Sequence, residues 1–241
     1  MALRVLFINP EAALGGAERC LEDLAISFAD RPELEVAPAA LLLAPGPLVD
    51  RLRKAGVPTE VFPLPEFWAG LGEKGQPGLW KRPWFIVAQL VELWRWSQAL
   101  KQRAADLLPD VIHSNGIKTH LLWGLATLRT PLANGNGNVP VIWHVHDFLT
   151  SRRFSRALLR WFSRKAYAAV ANSTATLERA QSVLRCSLLR IYNGVAESPP
   201  SIKRPVELAK CRIGLVATYA RWKGHDLFFE AIAKLKKQKN S

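Results

Sequence analysis

The chain has 241 residues, 49% of them hydrophobic, and a formal net charge of +13. A chain of this length and composition can bury a sizeable core, and we expect one complete domain plus part of a second. The three cysteines, Cys20, Cys186 and Cys211, lie far apart without CxxC or metal-ligand spacing, which argues against a disulfide framework and favours a reduced, cytosolic compartment.

The positive charge is confined to the second part of the chain. Residues 1–150 carry 14 basic and 15 acidic side chains, whereas residues 151–241 carry 19 basic and 5 acidic ones. Such a local excess suits an anionic membrane surface, a polyphosphate ligand or an acidic partner surface. Because no nucleic-acid recognition motif accompanies the charge, we expect no nucleic-acid partner.

No segment is expected to direct secretion or to cross a membrane. The first residues enter a strand-like run directly, without the apolar stretch and cleavage site of a signal peptide. The most apolar segments, 37–49 and 85–93, are short or broken by prolines. We therefore expect a cytoplasmic protein whose membrane contact is at most peripheral, at the inner face.

Short apolar runs alternate with longer helical patterns, which predicts a doubly wound α/β domain with a parallel sheet. The predicted strands are 4–9, 34–42, 59–62, 111–114, 139–144, 168–172 and 188–192. The predicted helices are 16–29, 48–55, 85–107, 118–128, 154–166 and 175–184. Segments 66–83 and 134–138 are too irregular for an element and are predicted to be a surface loop and a flexible turn.

The composition changes after Gly194. Residues 195–211 contain prolines and serines typical of an interdomain linker. A strand at 212–218 and a helix at 225–237 then restart an α/β pattern. A complete second domain needs on the order of 100 to 150 residues, so we expect residues 212–241 to be the truncated start of one.

Two glycines follow the first strand and open the first helix. Gly15 and Gly16 allow a ligand to approach the backbone, and a helix N-terminus favours a phosphate or a sugar oxygen. The pattern departs from the G-x-G-x-x-G fingerprint, which argues against a dinucleotide enzyme. An ordinary strand-to-helix turn is the alternative.

Histidines and polar residues close the fourth and fifth strands. The run DVIHSNG contains His113 and Asn115, and the run WHVHD contains His144, His146 and Asp147. Ligands of open parallel sheets bind at the carboxyl ends of the strands, where such side chains can contact sugar hydroxyls or exchange protons. Structural histidines and a metal site are the alternatives, and the lack of a convincing third ligand argues against the metal.

Two later segments are further candidates. Asn193 and Gly194 form a turn that leaves the first domain, where a simple hinge is the alternative role. Arg221 and Lys223 lie between the last predicted strand and the last helix, where two cations could embrace a diphosphate. A solvated basic pair is the alternative there.

In order along the chain, six segments resemble the group 1, or family 4, glycosyltransferases of the GT-B fold: LGGAERCLEDLA, DVIHSNG, VIWHVHDF, AVANSTAT, IYNGV and GLVATYARWKGHDLFFEAIAKL. The resemblance implies two Rossmann-like lobes facing across a cleft, the first (1–194) binding mainly the acceptor and the second the nucleotide-sugar. It also implies a retaining transferase of the hexosyltransferase type, without metal or other cofactor, that acts on a lipid-linked or polysaccharide acceptor.

The resemblance also implies roles for single residues. His146 would contact the transferred sugar as the catalytic residue, and Lys223 would neutralise the diphosphate leaving group. Thr218 stands where the family usually has an arginine, and Arg221 is the nearest substitute. The residues predicted to bind donor or acceptor are Gly15, Gly16, Glu18, His113, Asn115, Asp147, Asn193, Arg221 and Lys223.

The paired-glutamate motif with which the family holds the donor is missing from the chain. We therefore expect the chain alone to be inactive. The alternative is a non-catalytic module, a decayed or split glycosyltransferase, that pairs with a separately encoded second lobe or docks on an anionic membrane.

One basic segment, 152–165, has the pattern of an amphipathic helix, with an apolar stripe of Phe154, Leu158, Trp161 and Phe162. It is interpreted either as an interfacial helix or as a helix whose stripe packs on the sheet while its arginines face water. The same two interpretations apply to the tryptophans at positions 80, 84, 94 and 96.

Overall fold

The computed structural model describes residues 1–69, 83–147, 149, 153–194, 213–217, 219 and 223–239. The chain divides into two compact units, Met1–Ala196 and Glu197–Ser241. The predicted linker at 195–211 lies outside the described residues, so the predicted domain boundaries stay predictions.

A seven-stranded sheet forms the centre of the first unit. Its strands are β1 (Leu3–Asn9), β2 (Val36–Leu42), β3 (Thr59–Val61), β4 (Val111–Asn115), β7 (Val141–Val145), β8 (Ala168–Ala171) and β9 (Ser187–Arg190). All are parallel, in the order β3-β2-β1-β4-β7-β8-β9. This order is Rossmann-like, and it confirms the predicted doubly wound sheet.

Helices connect the strands. They are α1 (Gly16–Ala29), α2 (Pro47–Lys54), α3 (Glu66–Ala69), α4 (Pro83–Asp106), α5 (Ile117–Ala126), α6 (Arg153–Phe162) and α7 (Thr174–Gln181). Short 3-10 helices occupy Pro32–Leu34 and Ser163–Lys165. The first of them makes β2 begin two residues later than predicted, because Glu35 takes a left-handed conformation with φ of 51°.

Three predicted segments differ from the structure. The predicted loop 66–83 begins with α3, and its residues 70–82 lie outside the described part. The predicted flexible turn 134–138 is a two-stranded antiparallel hairpin of β5 (Ala133–Asn134) and β6 (Gly137–Asn138). Residues 213–217, predicted as a strand, are not one, because a strand needs a neighbour and none pairs with them among the described residues.

The second unit contains α8 (His225–Lys239), which confirms the predicted helix at 225–237. The aromatic rings of Tyr219 and His225 lie 5.1 Å apart at its start. Lys223, two residues before the helix, is exposed.

Helices cover both faces of the sheet because side chains alternate between the faces along each strand. On one face, α1 and α2 cover β1 and β2 through a buried cluster that includes Phe7, Leu21, Leu42 and Leu52. On the other face, α4 and α5 form a second cluster with Ile8, Leu41, Leu100 and Trp123. The helix α6 continues this second layer beside α5.

The loop after β1 is fixed by its neighbours rather than by its own structure. The amide of Leu43 donates to the carbonyl of Asn9 at 2.9 Å, and the amide of Leu48 donates to that of Ala12 at 3.0 Å. A Cβ at Gly46 would lie 2.5 Å from the carbonyl oxygen of Ala12. Glycine therefore allows a backbone approach that holds this loop at the end of β1.

The helix α6 shows that the basic segment packs against the sheet layer. Leu159, which the predicted stripe omits, is 1% exposed, and Phe162 is also buried. The packing interpretation is confirmed for Phe162 and is wrong for Trp161, which is 48% exposed. The side chain of Phe154 lies outside the described part.

Within the described residues, no helix combines the length and the apolar character needed to cross a bilayer.

Replacing Gly124 with alanine should destabilise the first unit. A Cβ there would lie 2.6 and 2.8 Å from two ring atoms of Phe162, which is buried and cannot easily move. We expect a loss of about 1 to 3 kcal/mol in the free energy of unfolding, although alanine favours a helix. Urea denaturation measures this difference.

Gly135→Ala is the matched control, because a Cβ there meets no atom within 4 Å. Its effect should stay within about 0.5 kcal/mol. A Gly124→Ala variant as stable as the wild type would contradict the packing of α5 against α6.

Candidate functional site

Three neighbouring strands end in polar residues at the carboxyl edge of the sheet. Asn9 ends β1, Asn115 ends β4, and His146 directly follows β7. The register pairs Ile8 with Ser114 and Asn115 with His144, so the three strand ends lie at one level. The structure thus brings His113, Asn115 and the histidines of β7 together at this edge.

Hydrogen bonds join these ends into one chain. The side-chain Nδ2 of Asn9 donates to the backbone carbonyl of Glu11. The side-chain Nδ2 of Asn115 donates to Oδ1 of Asn9 at 2.6 Å. Oδ1 of Asn115 lies 2.7 Å from Nε2 of His146. Asn9 and Asn115 are buried, so water does not compete for these bonds.

The hydrogen bonds from His146 to Glu11 can run in only one direction. The carbonyl of Glu11 can only accept, which turns the amide of Asn9 so that its oxygen accepts from Asn115. The oxygen of Asn115 is then left to accept, and Nε2 of His146 must carry the proton that is donated to it. The hydrogen bonds therefore fix His146 in the Nε2–H tautomer, with Nδ1 as a free acceptor.

His146 is half-buried, and no donor among the described residues reaches its Nδ1. Burial lowers the pKa of His146, and the neighbouring Asp147 carboxylate opposes that effect. The imidazole is neutral at pH 7. It therefore offers a lone pair rather than a positive charge to a ligand at this edge.

Two more histidines lie beside His146. Nε2 of His113 is 3.2 Å from Nδ1 of His144, and the rings of His144 and His146 are 4.0 Å apart. The pKa of His113 is lowered to about 4, mainly by burial and to a smaller extent by the charge of His146. Burial, followed by the charges of His146 and His113, lowers the pKa of His144 to about 3.

These pKa values make the histidine cluster neutral at physiological pH. Among the described residues, no group of three or more histidine, cysteine, aspartate or glutamate side chains is placed to hold a metal ion. Nε2 of His144 is buried without a hydrogen-bond partner, which makes it a place for an ordered water or a ligand atom.

The N-terminus of α1 opens at the same edge. Gly15 is its N-cap and has no side-chain cap, so the first amides of the helix stay available. A Cβ at Gly16 would meet no atom within 4 Å, whereas one at Gly15 would meet the carboxylate of Glu18. Both glycines and Glu18 thus surround the positive end of the helix dipole.

The remaining predicted residues are less central. Asp147 is exposed directly after His146. Asn193 follows β9, which is three strands from β4 and hence about 14 Å away. Lys223 belongs to the second unit, and Arg221 and Thr218 lie outside the described residues.

The sequence patterns did not single out Asn9, which belongs to the site, or His120, which is buried nearby. Asn9 follows the apolar run 5–8 at the end of β1, and that position is the signal that could have found it. His120 has no such signal: it lies on α5, where Nδ1 is 2.8 Å from the hydroxyl of Ser114 and the ring stacks on Trp143 at 4.5 Å. Ser114 and Trp143 alternate with His113 and His144, so His120 belongs to the opposite face of the sheet.

Acid should destabilise the first unit before its carboxylates are protonated. The pKa values of His113 and His144 are about 4 and about 3 when folded, against an ordinary value of 6.5. Below pH 6.5 the unfolded chain therefore binds protons that the folded chain excludes, and stability falls as the pH drops. We expect a loss of at least about 2 kcal/mol between pH 7 and pH 4, measured by urea denaturation.

His144→Asn should reduce this pH dependence, since it removes one suppressed titration. Asp110→Asn is the control: Arg4 holds the pKa of the Asp110 carboxyl below 3.8, so that group acts only in stronger acid. Stability that stays constant from pH 7 to pH 4 would contradict the buried, neutral histidines.

Solved glycosyltransferases share this fold. A structure of Anabaena HepE in complex with UDP and glucose aligns with a TM-score of 0.55 and 24% identity, over 80% of this chain and 45% of HepE. A HepE structure in complex with UDP aligns with a TM-score of 0.54 and 26% identity, over 80% of this chain and 44% of HepE. The lipopolysaccharide outer core galactosyltransferase WaaB aligns with a TM-score of 0.52 and 13% identity, over 84% of this chain and 50% of WaaB. The chain thus spans about half the length of these proteins.

No curated protein sequence matches the chain significantly. The sequence model of the family described as Glycosyltransferase Family 4, in contrast, matches residues 46–198, which is more than half of the chain. The first unit has the Rossmann-like sheet of a GT-B lobe. On these grounds the chain belongs to Glycosyltransferase Family 4.

Proposed function

We propose that residues 1–194 are the acceptor-side lobe of a retaining glycosyltransferase that transfers a sugar from a nucleotide-sugar to a lipid-linked or polysaccharide acceptor. The observation that carries the proposal is the hydrogen-bond chain from Glu11 to His146 at the carboxyl edge of the sheet. Family membership supports glycosyl transfer. The UDP and glucose in the HepE structure support a nucleotide-sugar as donor.

In this proposal His146 is the catalytic residue that contacts the transferred sugar. Its Nδ1 accepts a hydrogen bond from a sugar hydroxyl, because Nε2 is already committed to Asn115. Asn115 is a positioning residue, since it acts on the sugar through His146. A neutral acceptor suits a hydroxyl group, because the hydroxyl can donate a hydrogen bond to it while both groups stay uncharged.

The N-terminus of α1 provides the other half of the site. Gly15 and Gly16 leave the first amides of the helix accessible, and these amides attract phosphate oxygens of the donor or polar groups of the acceptor. Glu18, His113 and Asp147 border the same edge and are further candidates for binding hydroxyl groups. Asn193, which follows β9, is the most distant from His146 of the predicted binding residues in the first unit.

The diphosphate is assigned to the second lobe. We propose that residues 212–241 begin this lobe after the linker 195–211, and that Lys223 and Arg221 neutralise the leaving group. Lys223 is exposed and so available to an anion. Two cations at this place would perform the electrostatic role that a metal ion has in other transferases.

A second candidate function is a non-catalytic module that pairs with a separately encoded second lobe. The two candidates share the sugar site around His146. They differ in whether the second lobe belongs to the same polypeptide or to a separately encoded one.

His146→Gln tests the sugar contact selectively. Glutamine places an amide nitrogen where Nε2 was, so the bond to Asn115 is retained while the acceptor Nδ1 is lost. We expect UDP-glucose to bind about tenfold more weakly to the variant, the equivalent of one hydrogen bond, whereas UDP alone binds unchanged. Saturation-transfer difference NMR with competing UDP measures both affinities.

Asn136→Ala at the tip of the β5–β6 hairpin is the control and should bind both ligands like the wild type. An equal loss of affinity for UDP and UDP-glucose would indicate that His146 contacts the nucleotide instead of the sugar. Unchanged binding of both ligands by His146→Gln would refute the proposed sugar contact.

A further inference from the structure

The first half of α4 presents an exposed apolar face, here called the α4 stripe: Trp84, Val87, Leu90, Val91 and Trp94. Their exposed fractions are 67%, 59%, 51%, 41% and 40%. Positions 84, 87, 91 and 94 follow helical spacing, so they form one continuous row. A row of this kind is rarely left on the surface of a soluble monomer without a partner.

The exposure does not come from a loosely attached helix. Leu93, Ser97 and Leu100 of α4 are buried on the opposite side. The indole nitrogen of Trp96 donates to the carbonyl of Pro63 at 2.8 Å, and that of Trp68 donates to Gln89 at 3.1 Å. The α4 stripe is therefore the outer side of a firmly packed helix.

Basic side chains border the α4 stripe. The guanidinium of Arg129 lies 5.7 Å from the ring centre of Trp94, and Arg95 is exposed on the same helix. Beside Arg129, Lys101 donates to Thr130 at 2.7 Å. Glu92 is the acidic residue of this border. An apolar row with an excess of cations at its side is complementary to an anionic lipid surface.

The two exposed tryptophans occupy the ends of the row. They are ten residues apart, or about 15 Å along the helix. Indole rings prefer the boundary between lipid chains and headgroups. A helix that lies flat on a bilayer would place both rings at that depth, with Val87, Leu90 and Val91 between them.

The α4 stripe also lies at the end of the fold where the site is. The helix connects β3 with β4, and in a parallel sheet such a crossover runs from the carboxyl edge back to the amino edge. Its first half therefore lies at the edge that carries Asn115 and His146.

We propose that the α4 stripe docks the protein on an anionic membrane surface. The helix α6, for which the sequence left a membrane-binding interpretation open, has Leu159 and Phe162 packed in the core. The proposal is independent of sugar transfer, because it needs neither donor nor His146.

Vesicle flotation of the 241-residue chain tests the proposal. The chain should float with vesicles of phosphatidylcholine and phosphatidylglycerol, and less with phosphatidylcholine alone. Trp84→Ala/Trp94→Ala should lower the partition coefficient at least about tenfold. Val87→Ser/Val91→Ser, which keeps both indoles, should lower it as well. All four positions are exposed, so an unchanged melting temperature will show that these variants fold.

Trp161→Ala is the matched control, since it removes an exposed tryptophan from the basic helix α6 and should change the partition coefficient less than about twofold. Three results would overturn the proposal: no flotation of the wild type, equal flotation with neutral and anionic vesicles, or a loss confined to Trp161→Ala. Self-association that the α4 variants abolish, without flotation of the wild type, would assign the stripe to a second copy of the chain.

Discussion

The site depends on one hydrogen-bond chain that can run in only one direction. A backbone carbonyl, that of Glu11, accepts at its start, and the two buried amides of Asn9 and Asn115 transmit that constraint to His146. These hydrogen bonds form only if β1, β4 and β7 end at the same level of the sheet. It must also hold the loop after β1, which the close approach of Gly46 to Ala12 achieves.

The electrostatic character of the edge follows from the same packing. Burial lowers the pKa values of the histidines, so the cluster presents neutral acceptors and donors instead of charge. The chain concentrates its excess of cations elsewhere, in residues 151–241. Sugar hydroxyls and phosphate groups have opposite needs, the first for directed hydrogen bonds and the second for positive charge. We propose that the neutral edge of the first lobe serves the sugar and that Lys223 of the second unit serves the phosphate groups.

The sequence predicts the sheet well because each strand is a short apolar run, and β1, β4 and β7 differ from their predicted bounds by at most two residues. It locates His146 and Asn115 because polar residues that follow buried runs lie at the ligand edge. The partnership with Asn9 depends on register between distant strands, which local pattern does not contain. In the described part of the predicted strand 212–218, residues 213–217, no strand forms for a related reason, since local propensity supplies no neighbour. The outward face of α4 was equally hidden, because its apolar residues surround much of the helix.

Nitrogen-15 NMR of the histidine side chains distinguishes the two tautomers of His146, since it reports which ring nitrogen carries the proton. With UDP-glucose added at pH 7, we expect His146 in the Nε2–H form and a shift of its Nδ1 resonance as the sugar binds. An Nδ1–H tautomer in the free protein, or a His146 resonance that ignores the ligand, would contradict a sugar site built on the chain from Glu11 to His146.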